Sequence, residues 1–103
     1  GSAILPMDDA LVLCAVDLCC RPYLNFDCCF PVERVGALET ELVREFFYAV
    51  SYSAGMNLHL KKLDGLNAHH LIEALFKAFA RALEAAVRPD SRIEGVLSTK
   101  GSL

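Results

Sequence analysis

Tryptophan is absent, only three histidines and four prolines occur, and no apolar run is long enough to cross a bilayer. Each shortage removes a class of protein. A spanning helix needs roughly 18–20 consecutive apolar residues, and no secretory leader is visible, so a soluble cytoplasmic chain with no membrane partner is expected. Ten basic residues face 13 acidic ones, for a net charge of −3, so the chain carries no electrostatic footprint for nucleic acid. No repeat or low-complexity tract appears. What remains is 103 residues, 54% hydrophobic and 22% charged, the balance of one small globular domain. A chain of this length buries only around two-thirds of its unfolded surface, which leaves a thin core and favours self-association. Gly1-Ser2 reads as a tag remnant, with 3–103 as a single domain.

The five cysteines, Cys14, Cys19, Cys20, Cys28 and Cys29, include two adjacent pairs. An odd count without a CxxC spacing is a poor disulfide or zinc framework. If strands 10–18 and 23–30 form a hairpin, Cys19 and Cys20 lie at its turn, with Cys28 and Cys29 about 25 Å away at the far end. Buried free thiols are the expected state.

Ala10 to Leu18 is a near-continuous apolar run between Asp8-Asp9 and Arg21-Pro22 and reads as a strand. Tyr23 to Phe30 alternates, with Leu24, Phe26, Cys28 and Phe30 on one face. Met56 to Lys61 alternates as well, with Met56, Leu58 and Leu60 inward. A helix between them is expected to start at a Thr40 N-cap and end at Gly55, with an apolar face of Leu42, Val43, Phe46, Phe47, Ala49 and Val50 and Glu45 at its edge. A second helix runs from about Ala68 to Val87, with Pro89 beyond it, and a short strand is expected near 3–5. Strand, strand, helix, strand, helix defines an α+β two-layer sandwich: a mixed sheet of three to four strands with two helices on one face.

The start of the second helix concentrates the chemistry. At 100° per residue, His69, Glu73, Lys77 and His70 fall at about 0°, 40°, 80° and 100°, while Leu71, Ile72, Leu75, Phe76, Ala78, Phe79 and Leu83 lie at roughly 180° to 340°. Imidazole with carboxylate is a ligand set for Zn, Mn, Fe or Ni, and the i, i+4 pair His69/Glu73 can reach one ion. The same residues could equally cap and solvate a helix terminus. The tail Ser98-Thr99-Lys100-Gly101 offers hydroxyls and an ammonium suited to a phosphate, or is an ordinary polar terminus. Arg21 sits at a turn, where a solvated arginine is the common case.

Taken in order, Pro6-Met7-Asp8-Asp9-Ala10-Leu11, Asp17-Leu18 with Arg21-Pro22-Tyr23-Leu24, and Thr40 to Phe47 form one set of anchors. Gly55-Met56-Asn57-Leu58-His59-Leu60, Asn67 to Lys77, Ala80-Arg81-Ala82-Leu83 and Ser98-Thr99-Lys100-Gly101 complete it. Together they resemble the C-terminal half of the imidazoleglycerol-phosphate dehydratase family, a manganese-dependent family of histidine biosynthesis.

The resemblance implies a fold and a site. Each family half is a four-stranded sheet with two helices, like the second domain of a small-subunit ribosomal protein. The halves pack helices inward, and dimetal Mn²⁺ sites lie between subunits of a large homo-oligomer. His69, His70, Glu73 and Glu45 match metal ligands. Arg21, Lys77, Ser98, Thr99 and Lys100 match positions holding the substrate, imidazoleglycerol phosphate. His59 matches a recurrent histidine, but its strand position puts it on the outer face. The family removes water from that substrate to give imidazoleacetol phosphate, with metals activating the imidazole and a carboxylate, Glu73 or Glu45 here, relaying protons. The 103 residues match one half alone, so copies of the chain are expected to stand in for the other. Cys19-Cys20 replaces the family's usual Ser-Gly, which strains the turn if it requires a positive φ. Two rival readings are a metal-binding, self-assembling half-domain without turnover and a redox or zinc protein built on the cysteines.

Overall fold

A computed structural model describes residues 1–90 and 92. The chain forms β1 (Ser2–Met7), β2 (Ala10–Asp17), β3 (Tyr23–Asp27), β4 (Arg34–Val35), β5 (Leu38–Glu39), α1 (Glu41–Ala54), β6 (Asn57–Asp64) and α2 (Ala68–Val87). Four strands make one sheet in the order β1-β2-β6-β3, and β4 and β5 pair as a separate small hairpin. Both helices cover one face of the sheet, α2 over β1 and β2, α1 beside β3. The α+β two-layer sandwich expected from the sequence is therefore the fold.

The pairing differs from the simplest expectation. β2 and β3 are not a hairpin: β6 lies between them, antiparallel to β2 and parallel to β3. Strand 23–30 ends at Asp27, because Pro31 and the β4–β5 excursion follow, and the short strand near 3–5 extends over Ser2–Met7. Gly1 and Ser2, left out of the expected domain, join the sheet. Ser2 opposes Ala15, and Val16 N–H donates to Gly1 O at 2.8 Å. β2 and β3 still run in opposite directions, so the Cys19-Cys20 turn and Cys28-Cys29 remain at opposite ends.

Burial follows the alternation. Val12, Cys14 and Val16 of β2 and Leu58 and Leu60 of β6 are buried beneath the helices, with Val43, Phe47, Leu71, Leu75, Ala78 and Ala82 above them. His59 lies on the other face, its ring 5.6 Å from that of Tyr23, as its strand position required. Phe47 is fully buried, with Phe26, Phe46, Phe76 and Phe79 rings 4.9–6.1 Å away. Three thiols, Cys14, Cys19 and Cys28, are buried, but Cys20 and Cys29 are exposed, contrary to the expectation of five buried thiols. Burial pushes the Cys14 and Cys28 thiols up to about 12 and about 11.

The helix ends also depart from expectation in one place. Thr40 makes no side-chain cap to α1. Its backbone is already helical, and its hydroxyl donates to Val32 O at 2.8 Å, tying the segment before β4 to the start of the helix. Asn67 is the working cap of α2, accepting from His70 N–H at 3.0 Å. At the other end of α1, Gly55 is left-handed, φ +64, and donates its N–H to Ser51 O.

Candidate metal centre

The β1–β2 turn and the loop from β6 into α2 meet at one end of the sheet. Gly65 makes this possible: at φ +119, a Cβ there would stand 2.7 Å from Ala10 Cα. That close approach brings the backbone N–H groups of Leu66 and Asn67 to Asp9 Oδ2, at 2.8 and 3.0 Å. The other oxygen, Asp9 Oδ1, lies 2.8 Å from His70 Nδ1. Backbone donation by Leu66 and Asn67, with the contact to His70, holds the Asp9 carboxyl well below the usual carboxylate range. Asp8, at φ +49, places its Oδ2 3.2 Å from His70 Nε2.

One turn along α2, His69 Nε2 lies 3.3 Å from Glu73 Oε2, and Lys77 Nζ lies 3.0 Å from Glu73 Oε1. Lys77 first, then His69, depress the Glu73 carboxyl and keep it anionic. These side chains face solvent, 67% exposed for His69 and 39% for Glu73. Val35, Gly36 and Leu38 of the β4–β5 hairpin line a shallow apolar groove with His69, Ile72 and Glu73.

Does this donor set suit a divalent cation? In octahedral coordination at about 2.1 Å, neighbouring ligand atoms stand about 3 Å apart. The 3.3 Å between His69 Nε2 and Glu73 Oε2 is close to that separation, and an imidazole with an ionised carboxylate is chemically apt. The set fits but is partial. Among the described residues, no group of three His, Cys, Asp or Glu side chains can hold one ion. Asp9 and Asp8 address opposite nitrogens of the His70 ring, Nδ1 and Nε2, so the two carboxylates do not converge on one point of it.

The structure therefore brings His69, His70, Glu73 and Lys77 to one helical entrance. Glu45 is exposed on α1 and lies 3.8 Å from Arg44, with no contact to the α2 pair. Arg21 follows β2 at the far end of the sheet, about 25 Å from the β1–β2 turn by strand rise. Ser98, Thr99 and Lys100 lie outside the described residues. Sequence reading missed Asp8, Asp9 and Asn67 around His70. Asn67 had a signal, as a capping residue just before the apolar period; the aspartates had only their turn, 61 residues from the histidine.

A mixed four-stranded sheet with two helices on one face, carrying imidazole and carboxylate side chains at the entrance to the second helix, defines an α+β two-layer half-domain. The profile of imidazoleglycerol-phosphate dehydratase matches residues 1–83, and the chain belongs to that family. A dehydratase of that name from Lachnoclostridium phytofermentans is 62% identical over 103 residues, and one from Acetivibrio thermocellus is 61% identical. In both cases all of this chain but 53% of the relative is covered, so the chain spans about half the length of the curated relatives it matches. The crystal structure of imidazoleglycerol-phosphate dehydratase from Staphylococcus aureus superposes with a TM-score of 0.86 at 46% identity, covering 87% of this chain and 53% of that one. The Pyrococcus furiosus structure gives 0.82 at 42% identity, over 100% and 56%. No helix among the described residues is long and apolar enough to cross a membrane.

Proposed function

We propose that the chain acts as a half-size imidazoleglycerol-phosphate dehydratase in the cytoplasm, self-associating so that metal sites form between copies. The observation that carries this is the place of the His69/Glu73 pair, exposed at one end of an apolar helical surface. Leu42, Phe46 and Phe76 stand 49%, 44% and 37% exposed on that surface, with Phe46 and Phe76 rings 5.1 Å apart. The 103 residues span about half the length of the curated relatives they match, and a second copy presents a matching apolar surface to this one. The separation of Arg21 from His70 within one chain points the same way, because the two can serve one substrate only across chains.

In that assembly His69 and Glu73 of one chain would hold Mn²⁺, with Glu45 or His70 of another completing the set. Such an ion supplies Lewis-acid activation of the substrate imidazole. The chain's own groups do the rest. Glu73, kept anionic by Lys77, is the carboxylate placed to accept and return a proton. Lys77 and Arg21, with Ser98, Thr99 and Lys100, would fix the phosphate end and so orient the glycerol carbons for loss of water. The apolar groove from Val35 to Leu38 would shield the ring end from solvent.

The test pairs an assay of product from imidazoleglycerol phosphate and Mn²⁺ with a mass measurement, for the native chain and His69→Ala. Turnover by an oligomer, lost in His69→Ala, is the expected result. Metal uptake by an oligomer with no product would instead favour the non-catalytic half-domain. A stable monomer that takes up no ion in excess Mn²⁺ would overturn the reading.

A further inference from the structure

We propose that Asp9 is a positioning residue that fixes the His70 tautomer, holding the proton on Nδ1 so that Nε2 offers its lone pair to the metal. This rests on the reading of His70 as a ligand, and it adds a residue that the ligand set does not contain. An ionised carboxylate only accepts hydrogen bonds, so the 2.8 Å contact to Asp9 Oδ1 requires a proton on Nδ1. A neutral ring has one such proton, and both Asp9 and Asp8 compete for it. Asp9 wins on geometry. Its contact is shorter, 2.8 against 3.2 Å, and its other oxygen is pinned by two backbone amides, whereas the Asp8 side chain is 72% exposed and bears no second anchor among the described residues. Asn67 fixes the ring's own backbone by capping His70 N–H.

The arrangement is built from three segments that meet only in the folded chain. Asp9 comes from the β1–β2 turn, its anchoring amides from the loop after Gly65, and the ring from α2. A carboxylate behind a ligating histidine both selects the ring nitrogen and raises its basicity, and losing it typically costs metal affinity by 10–100-fold. Asp8, at the opposite nitrogen, has to release Nε2 or share its ion when a cation arrives.

The test uses Asp9→Asn. An amide nitrogen facing Nδ1 can donate to it, which moves the ring proton to Nε2, the nitrogen the metal needs. The readout is the nitrogen-15 spectrum of the three imidazoles in metal-free protein at alkaline pH, with His70 assigned through His70→Gln. Expected are an Nδ1–H ring in the native chain, a shift toward Nε2–H in Asp9→Asn, and return to Nδ1–H in Asp9→Glu. Mn²⁺ titration of the same samples, with folding checked by circular dichroism, should show affinity reduced about 10–100-fold in Asp9→Asn alone.

An Nε2–H ring in the native chain would overturn the proposal even if Asp9→Asn failed to fold. So would an unchanged tautomer, or unchanged affinity, in a folded Asp9→Asn. The spectrum needs no metal. A native chain that shows the Nδ1–H ring yet binds no Mn²⁺ therefore counts against the dehydratase reading, while the tautomer still decides what Asp9 does.

Discussion

Cys20 and Gly55 meet backbone to backbone, both left-handed, at φ +63 and +64. A Cβ on Gly55 would come within 3.3 Å of Cys20 Cα, so neither chain can retreat from the other. Gly55 accepts this conformation at no steric cost, but Cys20 does not. A left-handed residue with a side chain costs roughly 1–2 kcal/mol, partly offset by the greater freedom a glycine loses on folding. Cys20→Gly should therefore raise stability by about 1 kcal/mol, read as a higher urea midpoint at unchanged slope. Gly55→Ala should lower it by about 1–2 kcal/mol. An unchanged midpoint in Cys20→Gly would mean that the turn is not strained.

Phe47 is the centre of the aromatic cluster under α1 and α2, fully buried. Phe47→Ala should cost about 3–5 kcal/mol, because four neighbouring rings cannot all collapse into the space. Domains of this size hold only about 5–15 kcal/mol in total, so thermal melting should broaden or vanish near room temperature. A midpoint within a few degrees of native would contradict the packing described here.

Thiol chemistry should divide the cysteines two and three. Cys20 and Cys29 should react quickly with Ellman's reagent in native protein, and Cys14, Cys19 and Cys28 only on unfolding. The raised thiols also set an alkaline limit. A thiol near 9 when unfolded and about 12 in the folded chain, as for Cys14, keeps its proton more tightly when folded. Its contribution is thus intact below pH about 9 and lost as pH climbs toward 12, where the unfolded chain gains an ionised thiolate. Urea midpoints should fall across that range, and less steeply in Cys14→Ala, which itself costs about 1 kcal/mol at neutral pH. Equal slopes in the two proteins would exclude Cys14 as the cause.

Self-association is open to a direct disruption. Leu42→Glu puts a charge on the exposed helical surface, at an α1 side chain that is 49% exposed and lies outside the rings packed on Phe47. Light scattering at matched concentration should show a smaller species with native circular dichroism. An oligomer of native size would place the contact on another surface.

Much of this architecture was legible because alternation and helical period are local. Leu58 and Leu60 against His59 and Lys61, and the 20-residue span of α2 from Ala68 to Val87, could be read directly. The strand order could not, since nothing near Tyr23–Asp27 says that its partner lies 34 residues on. The β4–β5 hairpin escaped because two-residue strands carry no period. Thr40 looked like a cap from its type and position, yet its hydroxyl found Val32 O instead. At the site, the i, i+4 geometry of His69, Glu73 and Lys77 was readable from spacing alone. The carboxylates behind His70 were not, because the β1–β2 turn reaches α2 only through tertiary closure over Gly65.

The position of β6 between β2 and β3 has a consequence during synthesis. Both flanking strands leave the ribosome before the strand that joins them exists; β3 cannot complete its backbone pairing until Lys61 has emerged, nor β2 until Asp64 has. Until then β2 offers β1 one edge and leaves the other bare, an invitation to pair with the wrong chain. Folding should accordingly be slow for a chain of this length and governed by a late, long-range zipping event.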